Sequence, residues 1–475
     1  LYNYLYAKGN GGKIILRIED TDQSRKVEDA VEQLMSAFDI MGIHFDESPK
    51  NEGHCSPYFQ SQRLDLYKKH VNGLINKGLA YPCFCSSERL DTLRKEKQVL
   101  KLSTKYDRYC LSFTKDEIVK KCKSELHVIR LKVPTPKSIT FNDTVRNNVT
   151  FNTDEIDDQV LLKSDGFPTY HLAVVTDDHL MEISHVMRAE EWLPSTPRHL
   201  MIYDALGWRP PSFAHLPMIL GSDRSKLSKR HGATSALSYK EQGYLSDAMF
   251  NFLALLGWSF DDKTELFSRE ELISAFSLER VTKAGAVFDQ EKLSWMNGVY
   301  LRKLSVDEFI TNLQPFLERP FKSGGLPDSI PRDLDRERLI SIAPLIQERM
   351  KLLSQGIDLI SLFLEENPAY STKILLQKGM DVPTTCQVLI STRATLECVE
   401  HWNASDLERA VRLLLEELDL NTGQLFGSIR AAVTGRVASP PLFETMDVLG
   451  REVCVVRLTQ AINHLDSRDH LDEGM

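Results

Sequence analysis

The sequence predicts an α/β fold with an insertion, followed by helical domains. The apolar run Ile14–Ile18 is typical of a buried strand, and apolar residues at helical spacing follow from about Arg25. Residues 170–235 return to an α/β pattern. From about residue 236 onward, apolar residues recur at helical intervals, as in the amphipathic segment Asp406–Leu418. This order of patterns indicates one α/β domain and at least one all-helical domain after it.

Changes in pattern divide the 475 residues into five segments, a length that suits about three domains. A stretch rich in Gly, Pro and Ser at Phe321–Pro331 reads as a linker. The predicted segments are the first half of a doubly wound fold (1–80), an insertion (81–169), the second half of that fold (170–235), and two helical domains (236–320 and 321–475).

Composition limits the class of protein. The apolar share of 42% is enough for ordinary cores, and no run of about 18 apolar residues predicts a membrane span. The net charge of −9 disfavours general affinity for polyanions, but it leaves room for local basic patches. Eight cysteines without a secretory pattern favour a reducing compartment.

A basic loop at Gly221–Arg230 is the most informative segment. It places Arg224, Lys226, Lys229 and Arg230 around two serines. Lysines of this kind meet charge that develops on a phosphate chain during phosphoryl or nucleotidyl transfer. The alternative is a solvated basic loop without a ligand.

A second polar segment follows the predicted strand Ile14–Ile18. Its carboxyl end delivers Glu19, Asp20, Thr21 and Asp22. Ligands of open α/β sheets bind at the carboxyl ends of strands, and a carboxylate there can hold a substrate ammonium. The alternative is that Asp20 and Asp22 cap the next helix, together with Ser24, while Glu19 pairs with Arg17.

Together these two segments resemble the glutamyl-tRNA synthetases, which are class I aminoacyl-tRNA synthetases. Lys226–Arg230 is similar to the KMSKS motif of that class, and Arg17–Asp22 is similar to the Arg-Ile-Glu-Asp-Thr-Asp strand end of the family. Further similar blocks run in order over nearly the whole chain: Pro57–Arg63, Lys163–Leu172, Thr176–His179, Arg188–Trp192, Val287–Asp289 and Lys292–Gly298.

The resemblance implies a class I synthetase catalytic domain that is Rossmann-like, with an acceptor-binding α+β insertion. It also implies all-α stem-contact and anticodon-binding domains over the two helical segments. Leu425–Leu449 resembles the end of the helical anticodon-binding domain of bacterial-type enzymes. The glutaminyl enzymes and the eukaryotic cytosolic glutamyl enzymes have β-barrels in that place. A generic helical bundle is the alternative for this region.

The resemblance also implies a glutamate pocket. Glu19 should accept the substrate ammonium, and Arg188 should clamp the side-chain carboxylate with its planar fork. Tyr170 matches a substrate contact, and Val174 follows on what we predict to be the same strand. Several relatives carry Asn at the position of Val174. A valine side chain cannot make the hydrogen bond that the Asn side chain makes. Taken alone, Arg188 fits a surface ion pair equally well.

ATP with Mg²⁺ is the second implied substrate. Lys229 should neutralise phosphate charge, with Lys226 helping and Ser228 in the same loop. Glu191, Ile219 and Leu220 match adenosine-side positions. The implied activity is that of a glutamate–tRNA ligase, which forms glutamyl-adenylate and then transfers glutamate to the 3′ end of tRNA(Glu).

A possible zinc site lies in the insertion. Cys83, Cys85 and Cys110 resemble the Cys-x-Cys…Cys-x-His site of some relatives, but Ser112 occupies the fourth position and is a poor ligand. His127 is a candidate replacement, and inert buried thiols are the alternative. The spacing of His171, His179 and His185 predicts strand and loop positions rather than a metal cluster. Asp177 and Asp178 are expected to brace the fold or the tRNA acceptor end.

The chain opens at Leu1 without the Pro-Ser-Pro-Thr-Gly and HIGH segments of the family. We therefore expect an amino-terminally truncated and impaired enzyme. A tRNA-binding paralogue without activity and a non-discriminating enzyme that also charges tRNA(Gln) are the alternatives. The bacterial-type architecture favours the mitochondrial matrix over a plastid or a bacterial cytoplasm. We expect a monomer without membrane association.

Overall fold

The computed structural model describes residues 1–22, 29–134, 138–228, 235–261 and 263–472. The chain forms two compact units. The first contains residues 1–237 and 249–289, and the second contains residues 238–248 and 290–475. The chain therefore leaves the α/β unit briefly and returns to it before the helical unit continues.

The first unit mixes helices with short strands. The elements up to the end of the predicted insertion are α1 (Tyr2–Gly9), α2 (Ala30–Ile40), α3 (Leu64–Asn76), β1 (Ala80–Cys83), α4 (Ser87–Val99), α5 (Lys115–Ser124), β2 (Val128–Leu131), β3 (Ser138–Asp143), β4 (Asn147–Asn152) and β5 (Val160–Leu162). Those that follow are α6 (Tyr170–Leu180), β6 (His185–Ala189), α7 (Thr196–Leu206), β7 (Ser212–Leu216), β8 (Ile219–Leu220), α10 (Arg269–Ala275) and β9 (Ala286–Val287). Helix α8 (Ala236–Gln242) belongs mostly to the second unit, and α9 (Ser246–Ala254) begins in the second unit and ends in the first.

A four-stranded sheet in the order β4-β3-β7-β6 carries the candidate site. Strands β3 and β4 are antiparallel, whereas β7 pairs in parallel with both β3 and β6. The parallel register places Arg188 of β6 beside His215 of β7, and it places Asp143 beside Phe213. The carboxyl ends of β3, β6 and β7 therefore meet at one edge, where ligands of such sheets bind.

The buried strand predicted at Ile14–Ile18 does not form as a continuous strand. The segment is extended, but it makes only two isolated parallel bridges, from Ile15 to Glu47 and from Ile18 to Phe59. Its two partners, Asp46–Glu47 and Tyr58–Gln60, lie in irregular segments that exchange a few backbone hydrogen bonds with it and form no continuous ladder. Ser24 and the predicted helix start at Arg25 lie outside the described residues. Within the described residues, helix α2 begins at Ala30.

The prediction that Tyr170 and Val174 share a strand is also wrong. Both lie on helix α6, as do His171 and His179, so the strand or loop prediction for these histidines is wrong as well. The β-branched residues around Val174 favour a strand, but burial of seven consecutive helical residues overrides that weak preference. On a helix, Tyr170 and Val174 are one turn apart on the same face.

The second unit is helical. Its elements are α11 (Gln290–Lys303), α12 (Val306–Leu317), α13 (Arg336–Gln347), α14 (Gly356–Leu364), α15 (Thr372–Leu375), α16 (Val382–Glu397), α17 (Ala404–Glu417), α18 (Thr422–Thr434), α19 (Leu442–Leu449) and α20 (Arg451–Asp472). Local sequence sets the helix starts: Ser305 with Glu308 forms a capping box for α12, and Asn403 caps α17. A continuous apolar core joins these helices.

A fully buried arginine fastens the helical core. Arg457 is 1% exposed and donates to the carbonyl oxygens of Leu362 and Val433 at 2.9 and 2.8 Å, and also to that of Glu365. These carbonyls lie at the carboxyl ends of α14 and α18, where backbone acceptors lack helical partners. Arg457 therefore satisfies two helix ends at once. No helix among the described residues is long and apolar enough to cross a lipid bilayer.

Candidate active site

Arg188 lies at the sheet edge and is surrounded by neutral acceptors. Its Nε donates to His215 Nε2 at 3.1 Å, and its Nη2 donates to Thr196 Oγ1 at 2.9 Å. Its Nη1 is 3.3 Å from His199 Nδ1. Within the described ranges, no carboxylate oxygen forms an ion pair with Arg188, so the surface ion-pair alternative has no support there. The guanidinium of Arg188 therefore has no counter-charge in contact with it in this part of the chain.

Tyr170 connects Arg188 electrostatically with Glu19. Burial raises the pKa of Tyr170, and the charge of Glu19 raises it further, whereas Arg188 lowers it. The Tyr170 ring packs 5.0 Å from the ring of Trp192. The predicted ammonium acceptor and the predicted carboxylate clamp therefore act on the pKa of the same hydroxyl group in opposite directions. Val174, one turn along α6, is 8% exposed.

Glu19 pairs with Arg17, as the sequence alternative proposed. The Arg17 Nη2 to Glu19 Oε1 distance is 3.1 Å, and Arg17 also contacts Asp178 at 3.0 Å. The side chain of Glu19 remains 39% exposed, so the pairing leaves its carboxylate accessible. Asp20 instead accepts hydrogen bonds from the backbone and hydroxyl of Ser61 at 2.8 and 2.6 Å. Asp20 therefore fastens the block Pro57–Arg63 to the acidic segment.

Asp177 joins helix α6 to the segment that contains Gln60, Arg63 and Tyr67. It is fully buried and accepts from Arg63 Nε at 2.8 Å, Gln60 Nε2 at 2.9 Å and Tyr67 Oη at 2.7 Å. Its neighbour Asp178 is also buried, and burial raises the pKa of Asp178 to about 6 although Arg17 acts in the opposite direction. These bonds agree with the predicted bracing role of the acidic pair.

Part of the basic loop reaches the end of β6. Lys226 Nζ is 2.5 Å from Glu191 Oε2, which follows Arg188 by three residues. Backbone bonds from Leu227 to Ile219 and from Gly221 to Ser225 fold the loop back onto β8, which contains Ile219 and Leu220. Ser228 is exposed. Lys229 and Arg230 lie outside the described residues. The structure thus brings Lys226, Glu191 and β8 together.

Comparisons with known proteins identify the family. The family model for the catalytic domain of class I tRNA synthetases (E and Q) matches residues 1–295, and the model for an anticodon-binding domain matches residues 308–462. The chain is 48% identical over 465 residues to the glutamate–tRNA ligase of Dehalococcoides mccartyi strain CBDB1, covering 98% of this chain and 93% of the relative. The chain belongs to the glutamate–tRNA ligases.

Other glutamate–tRNA ligases are also similar to this chain over nearly its whole length. The ligase of Treponema denticola is 40% identical, covering 97% of this chain and 95% of the relative. A crystal structure of a glutamate tRNA ligase from Elizabethkingia meningosepticum in complex with its amino acid matches with a TM-score of 0.89 and 33% identity, covering 98% and 95% of the two chains. The fold is therefore a class I synthetase catalytic domain followed by a helical anticodon-binding domain, as the sequence predicted.

A cysteine cluster lies in the insertion of this ligase. The sulfur atoms of Cys83, Cys85 and Cys110 all lie within 4.8 Å of one another. The hydroxyl of Tyr106 is 3.5 Å from Cys83 Sγ and 3.3 Å from Cys85 Sγ, and it accepts a hydrogen bond from the backbone of Cys110 at 3.0 Å. Three thiols, which are zinc ligands, therefore lie close together, with the phenol of Tyr106 beside them.

The two fourth ligands considered from the sequence face elsewhere. The Ser112 hydroxyl donates to the carbonyl of Tyr109 at 2.7 Å. The Nδ1 atom of His127 is 3.1 Å from the carbonyl oxygen of Glu125, and its ring packs near Phe84. Sequence reasoning missed Tyr106, and the only available signal was its position four residues before Cys110.

Proposed function

We propose that this chain is a glutamate–tRNA ligase that uses ATP to join L-glutamate to the 3′ end of tRNA(Glu). The single observation that carries this proposal is the environment of Arg188. Its guanidinium contacts only neutral acceptors within the described ranges, next to Tyr170 and within reach of the charge of Glu19. Such an arrangement suits a ligand with an anionic side chain and an ammonium.

In this proposal Arg188 holds the side-chain carboxylate of glutamate, and Glu19 accepts its ammonium. Tyr170 lies between the two, and the backbone near Val174 completes the pocket. Glutamine would leave the positive charge of Arg188 without a counter-charge, so we expect it to bind more weakly. The ring contacts of Tyr170 with Trp192 and His199 support a pocket of fixed shape.

The ATP side of the proposal rests on the basic loop. Glu191, Ile219 and Leu220 would contact adenosine, while Lys226, Ser228 and Lys229 would contact phosphates. The glutamate carboxylate attacks the α-phosphate, giving glutamyl-adenylate and pyrophosphate, and the terminal ribose hydroxyl of tRNA then attacks the mixed anhydride. Magnesium enters with ATP. No protein nucleophile is required, because catalysis consists of positioning and charge stabilisation.

We assign tRNA contacts to the segments predicted from the sequence. Residues 81–169 would bind the acceptor end, residues 236–320 the stem, and residues 321–475 the anticodon. The match of residues 308–462 to an anticodon-binding family supports the last assignment. The three relatives named above are bacterial, and the mitochondrial location stays a prediction, as do the monomeric state and the impaired activity.

Aminoacylation tests the proposed function. The purified chain is incubated with ATP, labelled glutamate and either tRNA(Glu) or tRNA(Gln), and the charged tRNA is counted. We expect charging of tRNA(Glu) with glutamate. Charging of both tRNAs would show a non-discriminating enzyme. Binding of tRNA with no charging and no binding of glutamate would contradict the proposal and indicate a binding protein without activity.

We also propose that the cysteine cluster binds zinc, with Tyr106 as the fourth donor beside Cys83, Cys85 and Cys110. The purified chain should contain about one zinc ion, and Tyr106→Phe should lower zinc affinity by about 10- to 100-fold in competition with a chromophoric chelator. Tyr109→Phe is the matched control, because Tyr109 lies in the same segment but is half exposed. Equal zinc affinity of the two variants would exclude Tyr106 as a ligand.

A further inference from the structure

Asp143 and His215 form a hydrogen-bonded pair that contacts Arg188 on the sheet. Asp143 ends β3 and His215 lies on β7, and both are fully buried. Asp143 Oδ2 is 2.5 Å from His215 Nδ1. The other carboxylate oxygen accepts from the backbone amides of Val145 and Arg146 at 3.0 and 2.8 Å. The sheet thus holds Asp143 in one orientation.

This pair fixes the tautomer of His215. An arginine Nε always carries its proton, so His215 Nε2 must accept the hydrogen bond from Arg188 Nε and cannot itself be protonated. The ring proton is therefore on Nδ1, where the Asp143 carboxylate accepts it. The parallel register of β6 and β7 places Arg188 directly beside His215, so the backbone enforces this contact.

The other acceptors of Arg188 are neutral as well. Thr196 Oγ1 accepts from Nη2 and lies 3.2 Å from His215 Nε2. His199 Nδ1 faces Nη1, and its Nε2 is 2.9 Å from His171 Nδ1. Three of the five N–H groups of Arg188 therefore face uncharged acceptors. These contacts fix the orientation of the guanidinium without neutralising its charge.

We propose that Asp143 and His215 are positioning residues that hold the guanidinium of Arg188 in the orientation that selects a carboxylate over an amide. This inference rests on the proposed role of Arg188 in glutamate binding. The function of the buried carboxylate is to fix a neutral acceptor, His215 Nε2, behind the arginine. A carboxylate in direct contact with Arg188 would fix its orientation too, but it would cancel the charge that distinguishes glutamate from glutamine.

Asp143→Asn tests the pair with little change of shape. The Asn oxygen must face the backbone amides of Val145 and Arg146, so its NH₂ group faces His215 Nδ1. The imidazole then places its proton on Nε2, opposite the N–H of Arg188, and two donors confront each other. We expect about 10- to 150-fold weaker glutamate binding by calorimetry, the range for one charge-assisted hydrogen bond. Glutamine binding should change much less, so the preference for glutamate falls.

Asp158→Asn is the matched control. Asp158 is also buried and accepts from Tyr81, Arg108 and the backbone of Val133, but it has no bond to the Arg188 network among the described residues. It should lower the unfolding temperature without changing the ratio of glutamate to glutamine affinity. A merely structural role for Asp143 would give the same result in both variants.

A second pair of variants keeps the test decisive if Asp143→Asn does not fold. His215→Gln places an amide oxygen near the position of Nε2, whereas His215→Asn is too short to reach Arg188. We expect the Gln variant to keep the preference for glutamate and the Asn variant to lose it. If the unaltered chain binds no glutamate, the proposed function fails. If it binds glutamate and the affinity ratio is unchanged in Asp143→Asn, or equal in the two His215 variants, the positioning role is refuted while the function stands.

Discussion

Arg188→Met should weaken glutamate binding by about 2–5 kcal/mol, roughly 30- to 5,000-fold, when measured by calorimetry. Methionine preserves much of the volume but removes the only charge that we place opposite the substrate side-chain carboxylate. The glutamate affinity of Arg188→Lys should lie between that of the unaltered chain and that of Arg188→Met. A lysine keeps the charge but cannot hold a carboxylate through two parallel hydrogen bonds. Affinity for glutamine, which presents no charge there, should change less than affinity for glutamate.

Arg94→Met is the control for this experiment. Arg94 has a side chain that is 59% exposed on α4, where it pairs with Asp91. The same chemical change there should leave the glutamate titration unaltered. If Arg188→Met binds glutamate as tightly as the unaltered chain, Arg188 is not the carboxylate clamp and the proposed pocket is wrong.

Asp177→Ala should destabilise the catalytic domain by about 3–5 kcal/mol, the effect expected when one partner of a buried ion pair is removed. The carboxylate of Asp177 is 2.8 Å from Nε of Arg63, whose side chain is 4% exposed, and 3.9 Å from Nε of Arg17. Removing it leaves the Arg63 charge buried with no carboxylate in contact among the residues that the structure describes. Urea unfolding followed by circular dichroism measures the loss.

Asp65→Ala provides the comparison for Asp177. Asp65 is an exposed acid in the first turn of α3, two residues before Tyr67, which also bonds to Asp177. Its removal should cost about 0.3–1 kcal/mol through the helix dipole. Similar unfolding midpoints for the two variants would show that Asp177 does not brace the fold.

The helical half of the fold was predictable because amphipathic periodicity and capping residues agree there. The segment Asp406–Leu418 was predicted as a helix, and the structure has α17 at Ala404–Glu417, started by Asn403. The strand predictions were less successful. Ile14–Ile18 has the composition of a strand, but whether a strand forms depends on a partner elsewhere in the chain. Val174 and Val175 favour a strand locally, yet tertiary burial makes that segment helix α6.

The residues of the candidate site also differ in whether they could be predicted from the sequence. Glu19, Tyr170 and Arg188 could be named because they stand in local motifs that resemble a family. Asp143 and His215 could not, because they are 72 residues apart and meet only through the pairing of β3 with β7. The contacts of Tyr106 with Cys83 and Cys85 could not be predicted either, because those residues are 23 and 21 positions away and meet Tyr106 only in the folded chain.

A crystal structure of this chain with bound L-glutamate tests whether Arg188 binds the side-chain carboxylate of the substrate and Glu19 binds its ammonium. We expect the side-chain carboxylate of glutamate at about 2.7–2.9 Å from the Nη atoms of Arg188, with its ammonium beside the carboxylate of Glu19. Electron density that places the glutamate side chain away from Arg188, or its α-carboxylate on that guanidinium, would contradict the proposed recognition of glutamate.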